Sequence, residues 1–261
     1  MSDKSIFVLV KDDGLVCNTD QQCAVDGFAG LDYRIKPIKS HFNFDLLLQN
    51  IDKPHLLSID LTKILIKKVN PNFEWVEKQL FQIFKSFADR HIEIMTVENV
   101  LKELNGFACG KSLFVKPVET KLFDGIVVQD ESSLNYFKRM CGGIDNLCIV
   151  SSVISDIRSE FRCFVHNHEL VDCRNYKGDF KILPDFYYIE DIISEVSEIE
   201  NAPIAYTVDV MIDDIGQTEI IEFNDFWCIG NYGLDSETYA LMLKDRWNQI
   251  FSNGYKIHTN Y

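Results

Sequence analysis

The chain has 261 residues, of which 46% are hydrophobic and 25% are charged, enough for one large core or two small ones. Its 40 acidic and 26 basic side chains give a net charge of −14, and an acidic surface disfavours general binding to nucleic acids or to membrane surfaces. Because no apolar run approaches the ~20 residues of a transmembrane helix and we expect no signal peptide, we predict a cytoplasmic protein. The eight cysteines include no CxxC pair, which favours reduced thiols over a zinc site.

Residues 1–105 are predicted to form a small α/β domain. Apolar runs predict three strands: Ile6–Val10, His55–Ile59 and Leu61–Ile66. The apolar residues of Glu74–His91 recur at spacings of one, three and four, which indicates an amphipathic helix. Thr96 can cap a short helix that Asn105-Gly106 then ends, so we predict a domain boundary between residues 105 and 106.

Residues 106–261 are predicted to form an α+β domain with antiparallel sheets. The predicted strands are Ser112–Pro117, Gly125–Gln129, Asn146–Val153, Glu160–Val165, Glu169–Tyr176, Ala205–Ile212 and Thr218–Asn224. The predicted helices are Ser132–Met140, Ile189–Ile199 and Ser236–Phe251. Hairpins interrupted by helices are typical of this fold class.

The segment Tyr206–Asn224 is the most informative part of the sequence. Read as a hairpin with residues 214–217 as its loop, it places Asp213 opposite Thr218 and Asp209 opposite Glu222. Side chains alternate along a strand, so one face is predicted to carry Thr207, Asp209, Met211, Ile220, Glu222 and Asn224. The other face is predicted to be core and to carry Val208, Val210, Ile212, Ile221 and Phe223.

Two opposed carboxylates on one strand face repel each other, and a divalent cation would remove that cost. Mg²⁺ prefers hard oxygen ligands, commonly one or two carboxylates together with substrate phosphates. Asp209, Glu222 and Asn224 are therefore candidate ligands of a magnesium–nucleotide site. The alternative is an ordinary polar strand face whose acids are solvated.

Basic residues occur inside two other predicted strands. Lys116 ends an apolar strand and is followed by Lys121 and Gly125, and a phosphate is a natural partner for an ammonium in that position. Glu160 and Arg162 share one face of a later strand, where the guanidinium suits a phosphate or a carboxylate. The alternatives are a lysine that reaches solvent at a strand end and an exposed Glu160–Arg162 ion pair.

The order of these motifs resembles the ATP-grasp superfamily. It is most similar to a bacterial and phage family of the divergent clade named for its arginine and two lysines, a clade that includes a eukaryotic translation-initiation assembly factor. The motifs that carry the resemblance are Phe114-Val115-Lys116-Pro117 with Lys121 and Gly125, Glu160-Phe161-Arg162, Val208-Asp209-Val210, Ile221-Glu222-Phe223-Asn224 and Gly230-Asn231-Tyr232-Gly233. The resemblance covers roughly residues 106–250, and the N-terminal third occupies the position of a pre-ATP-grasp domain.

The resemblance implies two α+β halves that clamp MgATP. It implies catalytic roles for Lys116, on the α- and β-phosphates, and for Arg162, on phosphate or a reacting acyl phosphate. It also implies that Asp209, Glu222 and Asn224 hold one or two Mg²⁺ ions. The implied nucleotide site comprises Lys116, Lys121, Ser151, Ser152, Val153, Glu160, Arg162, Met211 and Ile220. In this site the backbone of 151–153 reads the adenine edge, and Met211 or Ile220 lies under the base.

Two departures from the family pattern leave affinity and reaction type open. Residues 118–125 contain one glycine where many relatives have a glycine-rich phosphate loop, and Ser151-Ser152 stand where many relatives carry acids. The resemblance implies an ATP-dependent carboxylate–amine ligase that works through an acyl phosphate, with a peptide or protein among the acceptors to consider. The alternatives are a nucleotide-binding assembly factor with little turnover and a phosphotransferase. The aromatics near Trp227 and Tyr232 fit an acceptor site or core packing equally well.

Overall fold

The computed structural model describes residues 4–39, 42–104 and 112–252. Its first sheet is parallel, has the order β2-β1-β3, and consists of β1 (Ser5–Leu9), β2 (Arg34–Ile38) and β3 (His55–Leu56). Parallel strands need crossover connections, which here contain α1 (Thr19–Gly30) and α2 (Phe44–Gln49). The sheet is followed by α3 (Ile59–Val69), α4 (Val76–Gln79) and α5 (Phe81–Phe87).

Two predictions for this region are wrong, and the strand predicted for His55–Ile59 is limited to His55–Leu56 because Ile59 begins α3. Leu61–Ile66 lies in a helix, because Ser58 caps it and burial follows helical spacing, with Leu65 and Ile66 buried and Ile64 exposed. The single helix predicted for Glu74–His91 is two short helices that meet at Leu80.

The second sheet is antiparallel, with the order β4-β7-β5-β6. Its strands are β4 (Ile92–Thr96), β5 (Leu113–Pro117), β6 (Ile126–Val128) and β7 (Leu147–Ser152), and its helices are α6 (Val97–Leu104) and α7 (Glu131–Met140). Strand β4 pairs with β7 along its whole length. The sheet therefore includes a strand on the N-terminal side of the predicted boundary, and the Asn105-Gly106 stop signal lies outside the described residues.

The third sheet is also antiparallel, with the order β11-β10-β8-β9. Its strands are β8 (Ser159–His166), β9 (Glu169–Gly178), β10 (Ala205–Ile212) and β11 (Thr218–Asp225), followed by α9 (Ser236–Ser252), while α8 (Phe186–Ser197) lies between β9 and β10. Helix α8 places four apolar residues in the same core as Val208 and Val210. These two antiparallel sheets confirm the predicted α+β class.

Elements of the N-terminal third pack directly on the third sheet. Helices α4 and α5 contact β11, and α1 packs against α9 so closely that a Cβ at Gly27 would lie 1.8 Å from the carbonyl oxygen of Ser236. Only glycine fits that crossing. Within the described residues, every helix is too short or too polar to cross a membrane.

Candidate functional site

The hairpin of β10 and β11 brings the two predicted carboxylates together. Asp209 lies opposite Glu222, as predicted. The register then shifts, so that Val210 lies opposite Ile220 and Ile221 is the extra residue of a bulge. The shift turns Ile220 into the core beneath the sheet, and its predicted place under an adenine base is therefore wrong.

The bulge also moves the end of the hairpin. Ile212, rather than Asp213, lies opposite Thr218. The backbone N–H of Asp213 instead donates to the carbonyl of Gln217 at 3.1 Å. The loop therefore comprises residues 213–217 rather than the predicted residues 214–217. The composition of the turn does not indicate this difference, because it arises from the bulge at Ile221.

Arg162 and Asp209 form a buried bidentate pair. They lie directly opposite each other on β8 and β10. Nε of Arg162 donates to Oδ1 of Asp209 at 2.8 Å, and Nη2 donates to Oδ2 at 2.7 Å. Such a pair fixes the orientation of the guanidinium as well as its charge.

Lys116 links the second sheet to the third. Its Nζ donates to Oε2 of Glu222 at 2.7 Å, and Nδ2 of Asn224 donates to Oε1 of the same carboxylate at 2.9 Å. The same Nδ2 lies 3.4 Å from Oδ2 of Asp209. The predicted lysine, arginine, carboxylates and amide therefore form one connected cluster between two sheets.

Burial and charge act in opposite directions within this cluster. Burial raises the pKa of Asp209 to about 6, although the Arg162 guanidinium opposes the shift. Burial would also raise the pKa of Glu222, but the charge and hydrogen bond of Lys116 outweigh it and lower that pKa to about 2. The lysine stays protonated because Glu222 and Glu77 overcome the effect of burial and raise its pKa.

Glu77 is a member of the cluster that the sequence prediction missed. It lies on α4, is 6% exposed, and accepts a hydrogen bond from Oγ1 of Thr120 at 2.7 Å. Burial raises its pKa to about 7 despite nearby Lys116. Glu77 precedes Leu80, Phe81 and Phe84 by three, four and seven residues. This spacing places an acid on the apolar face of the predicted helix, and that position could have indicated a functional carboxylate.

A pocket of about 140 Å³ opens beside these groups. Its wall includes Glu77, Lys116, Lys121, Gly125, Glu222 and Asn224. Lys121 has a positive φ of 56° in the turn between β5 and β6, and its charge contributes to the lowered pKa of Glu222. A side chain at position 125 would require the Phe114 ring to move, since a Cβ there would lie 2.4 Å from Cζ of Phe114.

A family model matches residues 87–242, and it describes an ATP-grasp domain of family 2 in the clade named for its arginine and two lysines. The chain belongs to this family. The match includes β4, which lies before the predicted boundary, and it spans every strand of the second and third sheets. No curated protein matches the sequence.

Solved structures share the ATP-grasp fold at low sequence identity. D-alanine–D-alanine ligase from Bacillus anthracis, complexed with ATP, is 12% identical with a TM-score of 0.55, covering 96% of this chain and 99% of that chain. N5-carboxyaminoimidazole synthetase from Staphylococcus aureus, complexed with ADP, is 13% identical with a TM-score of 0.55, covering 92% and 77%. A RimK domain ATP-grasp protein from Sphaerobacter thermophilus is 10% identical with a TM-score of 0.50, covering 95% and 100%.

The predicted hinge of this ATP-grasp domain is partly committed to the second sheet. Ser151 pairs with Ile92 on one side and with Phe114 on the other. The backbone N–H of Ser152 donates to the carbonyl of His91 at 3.1 Å, so it is not free to read an adenine edge. Val153 follows the end of β7, where its predicted role stays a prediction.

The remaining predicted nucleotide contacts lie on the same sheet face as Arg162. Glu160 lies opposite Met211 and forms an ion pair with Lys177. Met211 is 3% exposed and lines a pocket of about 520 Å³ near the hairpin turn. Their nucleotide roles stay predictions.

Two tyrosines cover the outer side of Arg162. Its guanidinium carbon lies 4.8 Å from the ring centre of Tyr232 and 5.9 Å from that of Tyr176. Tyr232 belongs to the loop Gly230–Gly233, whose Asn231 donates its backbone N–H and Nδ2 to Oδ1 of Asp20 at 2.9 and 2.7 Å. A helix of the N-terminal third thus holds the loop that covers the arginine.

The side chains of this cluster suit a magnesium ion only when phosphate oxygens supply the remaining ligands. In the described part of the chain no three His, Cys, Asp or Glu side chains are grouped as a metal site. Asp209, Glu222 and Asn224 offer two carboxylates and one amide, which are hard oxygen ligands for Mg²⁺ that leave several positions open. Two nearby histidines are not part of this donor set: Nε2 of His166, at the end of β8, lies 3.0 Å from Oδ2 of Asp245, and His168 lies in the turn between β8 and β9.

Proposed function

We propose that this chain binds MgATP between its second and third sheets and acts as an ATP-dependent carboxylate–amine ligase. One observation carries the proposal: two cations and two carboxylates, from four different strands, pair with each other in this cleft. Each group has the chemistry of one component of MgATP. Lys116 and Arg162 suit phosphate, and Asp209 and Glu222 suit the metal ion.

Binding of MgATP would exchange these partners rather than create new buried charge. The two ion pairs are neutral as a set. Phosphate oxygens can replace Glu222 on Lys116 and Asp209 on Arg162, and the two carboxylates then become available to Mg²⁺ together with Asn224. Each group keeps an opposite charge, so the exchange avoids the cost of an uncompensated ion.

The reaction that we propose has two steps. A carboxylate oxygen attacks the γ-phosphorus of ATP, the bond to the bridging oxygen breaks, and ADP leaves behind an acyl phosphate. An amine nitrogen then attacks the acyl carbon, phosphate leaves, and the nitrogen loses a proton to give an amide. Arg162 and Lys116 would orient and neutralise the phosphates in both steps, as phosphoryl transfer depends mainly on positioning and electrostatics. Bound Mg²⁺ would neutralise charge that develops on the phosphate oxygens.

Family membership and the fold support this assignment. Two of the similar structures are of a D-alanine–D-alanine ligase complexed with ATP and of an N5-carboxyaminoimidazole synthetase complexed with ADP. The carboxylate and amine acceptors of this chain are a separate question, since fold does not determine the substrate.

The first test is a calorimetric titration of ATP with and without Mg²⁺. We expect binding that needs Mg²⁺ and that Glu222→Gln weakens by about tenfold or more, because the substitution removes a charged ligand. Asp214→Asn is the matched control, since it removes one acidic charge from the exposed turn of the same hairpin. Equal binding by both variants, or none by the native chain, would contradict the proposal.

Turnover separates the ligase from its two alternatives. A ligase releases ADP only when a carboxylate and an amine are both present. A phosphotransferase leaves a stable phosphate ester on one acceptor. A nucleotide-dependent assembly factor binds MgATP but shows little ADP release with any acceptor pair.

A further inference from the structure

A second pocket, of about 150 Å³, lies between the first sheet and the loop that follows β11. Helix α1 contributes Asp20, β3 contributes His55, α9 contributes Tyr239 and Trp247, and the loop contributes Trp227. A cavity of this volume holds a group about the size of benzene. Its aromatic wall favours a compact apolar or cationic guest.

Asp20 gives this pocket its charge. It is the one formally charged side chain among the described residues of the wall. Oδ1 of Asp20 accepts the two hydrogen bonds from Asn231, which leaves the second carboxylate oxygen for a ligand. A guest with a positive charge is favoured, and a guest with a carboxylate meets no basic partner in this wall.

His55 adds a second acceptor. Its Nδ1 lies 2.6 Å from the carbonyl oxygen of Lys53, and a carbonyl can only accept, so Nδ1 carries the proton. Burial lowers the pKa of His55 to about 4, and the neutral ring therefore has an unprotonated Nε2. That nitrogen is buried, and no partner for it exists among the described residues.

Trp227 adds one donor. Its indole Nε1 is also buried without a partner among the described residues. A buried donor or acceptor that is left unpaired destabilises a protein, whereas a ligand can satisfy it. The wall thus presents acceptors for an ammonium group and one N–H for a neutral carbonyl.

The pocket adjoins the cleft described above. Cys228 and Gly230 line it, and Tyr232, two residues after Gly230, lies over Arg162. The loop from Gly230 to Gly233 separates the two sites, with Asn231 bound to Asp20 on one side and Tyr232 stacked over Arg162 on the other. A guest held at Asp20 therefore lies one loop away from the phosphate-binding arginine.

We infer that this pocket binds the amine substrate, as a primary amine that bears a compact apolar group and a neutral carbonyl, with no carboxylate of its own. The ammonium lies at Asp20, the apolar group lies among the aromatic side chains, and the carbonyl accepts from Trp227. An N-terminal residue of a peptide and a free amino amide share this chemistry. The role as substrate rests on the proposed ligase function, but binding to the pocket does not.

Calorimetry without nucleotide tests the pocket directly. Phenylalaninamide is expected to bind, while phenylalanine and phenylacetate, which carry a carboxylate, are expected to bind at least tenfold more weakly. The tripeptide amide Phe-Gly-Gly-NH₂, which has no carboxylate, and its N-acetylated form distinguish a peptide N-terminus from a small amine. If only phenylalaninamide binds, the substrate is a small amine; if the unacetylated tripeptide amide also binds and the acetylated one does not, it is a peptide N-terminus.

Asp20→Asn is the decisive variant, because asparagine keeps an oxygen for Asn231 and removes the charge. We expect it to weaken phenylalaninamide binding about tenfold or more while the temperature of thermal unfolding stays unchanged. Asp26→Asn, on the exposed side of the same helix, is the matched control and should bind like the native chain.

The outcomes separate this inference from the proposed function. MgATP binding without amine binding overturns the inference and leaves the proposed nucleotide site intact. Amine binding that Asp20→Asn abolishes, in a chain that binds no MgATP, supports the pocket and sinks the ligase. Equal binding of phenylalaninamide and phenylacetate, or equal loss in both aspartate variants, also overturns the inference.

Discussion

Two buried arginine–aspartate pairs each include an aspartate of the β10–β11 hairpin, and their surroundings differ. Arg162 binds Asp209 through two hydrogen bonds of 2.8 and 2.7 Å, and Arg246 binds Asp225 through two of 2.8 and 2.6 Å. The geometry is the same, and all four side chains are at most 10% exposed.

The surroundings of the two pairs differ. Arg162–Asp209 lies beside a second ion pair and Asn224 in a cleft, where our proposed function has phosphate replace Asp209 and Mg²⁺ replace Arg162. Arg246–Asp225 joins α9 to the end of β11, with Phe73 over the guanidinium and Gln249 as its further acceptor. On that proposal, the Arg246–Asp225 pair is structural, whereas the Arg162–Asp209 pair is exchanged when the nucleotide binds.

The largest expected effect comes from breaking the pair between α9 and β11. Asp225→Asn should lower the free energy of unfolding by about 3–5 kcal/mol, because it leaves the buried Arg246 charge uncompensated. The matched change Asp209→Asn should cost at most about 2 kcal/mol, since Glu222 still lies near Arg162 and the repulsion between the two carboxylates is removed. Urea unfolding at pH 7 measures both.

Equal losses for the two variants would break the comparison. So would a greater loss for Asp209→Asn. Either result would mean that the cleft pair is as structural as the interior one, and that phosphate cannot take its place.

A smaller effect, of opposite sign, is expected from Glu77→Gln. The ordinary pKa of a glutamate is 4.5, and burial raises the pKa of Glu77 to about 7. The folded state then holds the proton more tightly, so the stabilisation is complete below pH 4.5 and is lost as the pH rises to 7. The amide keeps an oxygen for Thr120 and has no such dependence, and it should be more stable at pH 8 by roughly 3 kcal/mol at most.

Urea unfolding between pH 4 and pH 8 checks this expectation. The difference between variant and native chain should grow as the pH rises and should shrink toward pH 4.5. A constant difference over this range would show that Glu77 ionises at an ordinary pH, in conflict with its burial.

The smallest expected effect belongs to the neighbouring acid Glu74. It pairs with Lys78 at 3.1 Å, and both side chains are at least half exposed. Glu74→Gln should change the free energy of unfolding by less than about 0.5 kcal/mol at any pH, since exposed pairs contribute little. The same urea series measures it, and a loss above about 1 kcal/mol would show that exposure alone does not separate this pair from the buried ones.

Much of the site was predictable because it lies on regular strands. Alternation along β10 and β8 placed Asp209 and Arg162 on one face, and their register brings them into contact. Ile220 was misplaced, since a bulge at Ile221 inverts the alternation on one strand only. The alternation of polar and apolar residues along a strand does not indicate which residue will form a bulge.

The N-terminal third was predicted less well because its signals are short. Leu61–Ile66 is apolar enough for a strand, yet the cap at Ser58 and the helical spacing of its buried residues make it a helix. The sequence did not distinguish Glu77 from the other acidic residues of the chain. Its role as a neighbour of Lys116 depends on α4 packing against β11, a contact between segments that are distant in the chain.

The sequence by itself determined the family, the α+β class and the residue types of the candidate site, because short motifs on strands keep their alternation locally. The tertiary structure alone decided which charges meet. It paired Lys116 with Glu222 across two sheets, brought Glu77 beside them, and fixed the loop over Arg162 through Asp20. The first and the last of these contacts join residues 106 and 211 positions apart, and only packing brings such residues together.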